Sequence, residues 1–216
     1  MNRTYLPGIL AMAAIVVASN ILVQFLILDG LLTWGAFTYP LAFLVTDVMN
    51  RVYGAPAARK VILAGFVTGI ICSLIGTQIM LQGDGYEYAA VALRVAVGSA
   101  TAFLIAQMVD VFVFDRLRNG TWWRAPLAST LIGSALDTAI FFTLAFSQSV
   151  AFFGENADME ISWAWEAMPF MSAGPEAPLW VSLAVADWGV KLALALIALI
   201  PFRVIVSWAT SRTATA

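Results

Sequence analysis

The sequence predicts an all-α, polytopic membrane protein of six transmembrane helices with both termini on the cytoplasmic side. Three observations predict it. The 216 residues are 62% hydrophobic and only 11% charged, with a mean hydropathy of +0.89, well outside the usual balance of soluble domains. Six apolar runs approach the roughly 20 residues that a helix needs to cross about 30 Å of hydrocarbon. Lysine and arginine collect at alternate ends of those runs, on one side, with only Arg94 near the border of the other.

Taken in order, the runs cover approximately residues 6–28, 33–50, 61–81, 93–114, 126–150 and 179–206, which together make residues 1–216 one transmembrane domain. The first is longer than a signal-peptide core and has no small-x-small cleavage pattern before Asn20, so it is expected to be retained. The second is short and carries Pro40, which a membrane helix tolerates when neighbours satisfy the freed carbonyl. Arg3 precedes the first run, Arg51, Arg59 and Lys60 follow the second, Arg116, Arg118 and Arg124 follow the fourth, and Arg203 and Arg212 close the chain. By the positive-inside rule that side is cytoplasmic.

The opposite side holds Asp29, Asp84, Glu87 and an acidic periplasmic loop, 154–178, with Arg94 at its border. The MEISWAWEAMPF stretch of that loop suits either an interfacial turn of helix or an irregular lid. Trp122, Trp123, Trp180 and Trp208 fall at run ends, where an indole favours the headgroup level. Trp188 lies inside the sixth run, between Asp187 and Lys191, and a belt role does not explain it.

Composition also excludes chemistry. With no histidine, serine-histidine catalysis, proximal-histidine haem and histidine-containing zinc sites are ruled out. The single cysteine, Cys72, can form neither an internal disulfide nor a thiolate cluster. GAPAARKV lacks the second glycine and the hydroxyl of a phosphate-binding loop, so the chain is not an ATPase. No membrane aspartate sits in the glycine-x-glycine-aspartate context of an intramembrane aspartyl protease. Scattered basic residues make no nucleic-acid face. No enzyme activity, cofactor or metal is expected.

The remaining signal is polar residues where the bilayer penalises them, at roughly 2.5–3.5 kcal/mol for a charge at a helix centre. They come in helical pairs: Asn20 with Gln24, Asp47 with Asn50 and Arg51, Gln107 with Asp110, and Asp187 with Lys191. Asp137 stands alone, about 16 Å into the fifth run at 1.5 Å per residue, and Lys191 reaches a similar depth. For Asp47, Arg51 and Asp110, near the cytoplasmic boundary, a snorkelling anchor and a ligand role are both consistent with position. For Asp137 and Lys191 the alternatives are a helix-joining salt bridge and a ligand site, and the ligand site is the stronger reading because uncharged groups suffice to join helices. The ligand this implies is a small polar molecule, with a flat shape and a positive charge both compatible with the site. Ser129 with Gly133, and Gly65 with Gly69, form small-residue ridges suited to close helix approach.

Several blocks resemble the queuosine precursor transporter family, also described as vitamin uptake transporters: ASNILVQ, TWGAFTYPLAFLVTDVMNRVYGAPAARK, QMVDVFVFDRLR, WWRAPLASTLIGSALDTAIFF and ADWGVK. The resemblance implies a six-helix carrier in the bacterial inner membrane that imports 7-cyano-7-deazaguanine or its aminomethyl relative. By position it implies Asn20, Gln24, Trp34, Asp47, Gln107, Asp110, Asp137, Asp187, Trp188 and Lys191 as substrate-binding residues, with Arg51 and Ser134 structural or gating. Where the family commonly shows Gly-Asn before the fifth-run aspartate, this chain has Gly133-Ser134. Its expected partners are the 7-deazaguanine substrate and the lipid bilayer, with pairing of two chains compatible. The alternative is the substrate-binding subunit of an energy-coupling-factor importer, which requires separate ATPase subunits.

Overall fold

A computed structural model describes residues 5–23, 25–28, 30–83, 85, 87–150 and 153–213. Its first helix, α1, runs Leu6–Leu22, with Pro7 in the first turn, where a missing N–H costs nothing. A two-residue hairpin follows, β1 (Leu26–Ile27) against β2 (Leu32–Thr33). The second apolar run divides into α2 (Gly35–Thr38) and α3 (Leu41–Tyr53). Pro40 is the cause, because it cannot donate to the helix ladder. Yet Trp34, Tyr39 and Pro40 all keep right-handed helical angles, and Ala42 and Phe43 bond three residues back, to the Tyr39 and Pro40 carbonyls. The chain therefore stays helical through the break.

Gly54 then reverses it in one residue, at φ 85°, a conformation that side chains disfavour. Helix α4 (Ala55–Gly76) begins at once, with Pro56 in its first turn. The hydropathy pattern predicts a start at residue 61, six residues later, and leaves Arg51, Arg59 and Lys60 in a loop. In the structure Arg51 belongs to the last turn of α3 and Arg59 and Lys60 to the second turn of α4, since charge lowers hydropathy without breaking a helix. A second hairpin, β3 (Met80–Gln82) with β4 (Glu87–Ala89), leads to α5 (Leu93–Leu117) and α6 (Arg124–Phe146).

The acidic segment is ordered by docking. It contains α7 (Glu155–Met159), a 3₁₀ turn at Ser162–Trp165, and a third hairpin, β5 (Ala167–Pro169) with β6 (Glu176–Pro178). Ile161 and Ala164 are buried against Phe142 and Phe146, and the Trp165 indole N–H donates to the Phe146 carbonyl at 2.6 Å. Arg94, fully buried, bonds the Leu144 and Ser147 carbonyls and Asp158 at 2.6 Å, tying this segment to the ends of α5 and α6. The last helix, α8 (Leu179–Thr213), is the longest among the described residues.

Side-chain contacts show how the helices alternate. At one end Tyr5 meets Tyr53, Lys60 lies over Tyr5, Arg118 donates to the Asn50 carbonyl, Phe114 stacks on Phe202, and Arg203 covers Trp122. The start of α1, the end of α3, the start of α4, the end of α5, the start of α6 and the distal part of α8 thus share one basic end. The three hairpins and the acidic segment follow from the opposite ends. Among the described residues, four helices, α4, α5, α6 and the Leu179–Ser211 part of α8, are long and apolar enough to cross a membrane, and α1 is a shorter apolar helix. The chain is a multi-pass membrane protein.

Both small-residue ridges seat close contacts. A β-carbon on Gly65 would stand 2.5 Å from Met12 Cγ of α1, and one on Gly133 would stand 2.8 Å from Phe43 Cε1 and 3.3 Å from the Ala106 carbonyl. A third ridge, Gly98-Ala102-Ala106, brings α5 against α6, the most extensive helix pair. Asp110 lies at one of these contacts, its Cβ 3.3 Å from the position a β-carbon on Gly133 would take.

Candidate functional site

Helix α6 positions two polar layers. Ser129, Thr130, Ser134, Asp137 and Thr138 recur at steps of three and four, so they share one face. All are buried. Eight residues separate Thr130 from Thr138, about 12 Å along the helix axis.

The upper layer joins α6 to α8 and to the Pro40 break. Lys191 Nζ lies 2.7 Å from Asp137 Oδ2 and 2.6 Å from Asp187 Oδ2. It also donates to Thr138 Oγ1 at 3.0 Å, and that hydroxyl donates to Asp187 Oδ2 at 2.9 Å. The Tyr39 hydroxyl donates to Asp137 Oδ1 at 2.9 Å, and the ammonium sits 5.6 Å from the centre of the Tyr39 ring. Asp187 and Lys191 are paired as their i,i+4 spacing predicts. Asp137 joins them because α6 and α8 pack together. Two carboxylates share one ammonium in a layer where both oxygens of Asp137 have donors.

The lower layer joins α6 to α3 and α5. Asp47, 3% exposed, accepts from Ser129 at 3.1 Å and Thr130 at 3.2 Å, one hydroxyl on each oxygen. Asp110, fully buried, lies within hydrogen-bonding range of the Asp47 carboxyl. Gln107 Oε1 accepts from Thr46 at 2.7 Å, and Asn50 Nδ2 donates to the Val111 carbonyl at 3.2 Å. Among the described residues, both Asp110 oxygens, Gln107 Nε2 and Asn50 Oδ1 have no conventional hydrogen-bond partner. An anchor pair of Asp47 with Arg51 does not form. Arg51 instead donates to the Arg118 carbonyl and lies 5.0 Å from the Phe114 ring centre.

The other sequence-selected residues stand apart from these layers. Asn20 donates to the Val16 carbonyl of its own helix at 2.9 Å, and Ser134 to the Leu131 carbonyl at 3.2 Å. Trp34 and Trp188 are about half exposed. Gln24 lies outside the described residues. Sequence reasoning missed Tyr39, Thr46, Thr130 and Thr138. Thr46 and Thr138 each adjoin a selected aspartate, a usable signal. Tyr39 had none, because a tyrosine in an apolar run reads as packing.

A cleft of about 80 Å³ opens beside the lower layer, lined by Pro40, Leu44, Asp47, Thr130, Ala195 and Phe202 among others. Small-molecule pockets usually span roughly 300–1,000 Å³, so the cleft in this form is too small to hold a base-sized ligand. Phe202, buried and stacked on Phe114, also borders a recess of about 290 Å³ at the basic end, beside Arg51, Trp122 and Arg203. It stands between the cleft and that end. Chemically, the upper layer offers a carboxylate whose donors can be exchanged for those of a ligand, and the lower layer offers unfilled donor and acceptor positions.

Residues 33–206 match the family described as "Putative vitamin uptake transporter". The chain is 39% identical over 157 residues to the "Queuosine precursor transporter" of Escherichia coli (strain K12), covering 68% of this chain and 71% of that one. It is 34% identical over 176 residues to the "Probable queuosine precursor transporter" of Haemophilus influenzae, covering 78% and 66%. A Bacillus subtilis protein of the same description is 31% identical over 128 residues, covering 53% and 56%. No solved structure matches the chain.

Proposed function

Because the chain belongs to the vitamin uptake transporter family, we propose that it imports queuosine precursors, 7-cyano-7-deazaguanine or 7-aminomethyl-7-deazaguanine, across the bacterial inner membrane. In this reading all six apolar runs cross as one domain, with both termini cytoplasmic. The kinked helix from Trp34 to Tyr53 makes the second crossing, about 30 Å at 1.5 Å per residue. Helix α1, at 17 residues, is about 26 Å long and makes the first.

The observation that carries the reading is the Lys191-Asp137-Asp187 layer with Tyr39, buried where three helical segments meet. A guanine-like edge presents N–H donors beside a carbonyl. Those donors replace Tyr39 or Lys191 on Asp137, and the released ammonium turns to the ligand carbonyl. Asp187 retains Lys191 meanwhile, so no charge is left bare. Trp188 and Trp34 supply stacking faces at the mouth, worth about 1–3 kcal/mol per base. An aminomethyl cation gains a second carboxylate. Asn20, Asp47, Gln107 and Asp110 line the path, and displacement of Phe202 admits the ligand to the basic, cytoplasmic side. Ser134 keeps its hydroxyl on its own helix, and Arg51 holds the α3 end to Arg118.

Uptake of labelled 7-deazaguanine base by a transport-deficient bacterial host expressing this chain alone tests the reading. Accumulation is expected in the absence of added ATPase subunits, and a strict requirement for them would instead establish the energy-coupling-factor alternative. Asp137→Ala is expected to abolish uptake at equal membrane abundance. Parental uptake by that variant would remove Asp137 from the site.

A further inference from the structure

The lower layer contains two carboxyl groups that no cation neutralises at contact distance. Asp47 and Asp110 are 3% and 0% exposed, and neither forms an ion pair within 4 Å among the described residues. Their surroundings supply little compensating charge. On α3, Arg51 donates to the Arg118 carbonyl and lies over the Phe114 ring, and although its other terminal nitrogen has no hydrogen-bond partner it makes no ion pair with either carboxyl. On α8, Lys191 is held by Asp137 and Asp187, and Arg203 covers Trp122. On α4, Arg59 and Lys60 are exposed at the first turns. On α5, Arg116 and Asp115 are exposed, Arg118 is paired with Asp115, and Arg94 is at the far end with Asp158. On α6, Arg124 is exposed and Asp137 belongs to the other layer. Helix α1 carries no charged residue.

Two bare carboxylates in contact inside a low-dielectric bundle are not a stable arrangement, whereas an acid donating to a carboxylate is. The partners decide which group holds the proton. Asp47 already receives two hydroxyl donors, which suit an anion, while Asp110 receives none and has both oxygens unfilled. A second observation points the same way. Gln107, one turn before Asp110 on the same face and fully buried, has an unfilled Nε2, so the layer holds room for rearranged hydrogen bonds when the acid loses its proton.

We propose that Asp110 and Asp47 form a proton-binding site in which Asp110 carries one proton and donates it to Asp47, and that this proton is carried inward with each substrate molecule. The inference rests on the transporter reading above. Loading forms an O–H bond on Asp110 with a proton from external water. Release breaks that bond and returns the proton to cytoplasmic water through the cleft bordered by Asp47 and Phe202. No electrons are transferred. Arg51, which interacts with Asp47 at longer range, balances the single negative charge that remains.

The test uses the full chain in proteoliposomes with labelled 7-cyano-7-deazaguanine, the membrane potential clamped at zero, and a pH dye inside. Exchange of labelled for unlabelled substrate without a gradient tests the transporter reading alone, and its absence overturns both proposals. With one pH unit of external acidity, about tenfold accumulation and lumen acidification during uptake are expected for one proton per substrate. Exchange without accumulation or acidification overturns the proton site and leaves the transporter reading standing. Infrared spectroscopy provides a readout that needs no transport. A protonated carboxylic-acid carbonyl band is expected near neutral pH in the parent and is expected to be missing in Asp110→Asn. Absence of that band from the parent, or its persistence in the variant, overturns the assignment.

Discussion

The two polar layers of α6 lie about 12 Å apart and treat buried charge in opposite ways. At Asp137 and Thr138, one ammonium holds two carboxylates, and a phenol and a hydroxyl complete the set. At Ser129 and Thr130, two carboxyl groups meet with only hydroxyl donors and several unfilled polar atoms. The first arrangement is a lock between helices, because separating its members strands a charge in an apolar interior. The second is loosely determined and accommodates a change in its proton count without breaking an ion pair. A proton-coupled carrier of the kind proposed above would use both properties: a closure that a ligand can replace and a site whose charge can change.

The largest effect is expected from breaking the lock on its cationic side. Lys191→Met leaves Asp137 and Asp187 without a counter-charge and should cost about 3–5 kcal/mol of stability, read as a lowered thermal midpoint in detergent. Combining it with Asp137→Leu and Asp187→Leu should recover most of that loss. A single variant that melts like the parent would mean the upper layer does not hold the helices.

Gly133→Val disturbs the lower layer from its backbone side. Its β-carbon would stand 2.8 Å from Phe43 Cε1 and 3.3 Å from Asp110 Cβ, so overpacking of about 1–3 kcal/mol is expected. Thr130→Ala removes one of the two donors on Asp47 and should cost about 1–2 kcal/mol, measured in the same melts. The smallest effect is expected from Asp110→Asn, within about 1 kcal/mol of the parent, because no ion pair is lost. Asp137→Asn, by contrast, weakens the hold on Lys191. Equal destabilisation by these two isosteric changes would erase the distinction between the layers.

The helical spans were legible in the sequence to the extent that hydropathy decides them. The start of α4 was not, because Ala55–Lys60 contains two charges and a proline that lower hydropathy while remaining compatible with a first helical turn. The acidic segment read equally as interfacial helix or lid, and docking of Ile161 and Ala164 on α6 decided its form. Within the site, the i,i+4 pair of Asp187 and Lys191 was legible, since one helix carries both members. The same spacing failed for Asp47 and Arg51, because the Arg118 carbonyl and the Phe114 ring on α5 compete for the guanidinium.

By itself, the sequence determined the membrane class, the segregation of basic and acidic ends, the absence of histidine chemistry and the list of ionisable groups that must be explained. These depend on composition and on periodicity along single helices. Only the tertiary structure decided which of those groups meet: Tyr39 with Asp137, Lys191 with two carboxylates, and Asp47 with Asp110 instead of Arg51. Partnership across helices depends on crossing positions set by small-residue contacts such as Gly133 on Phe43 and Gly98 on Ala145. Those contacts are separated along the chain by tens of residues, so no local pattern records them.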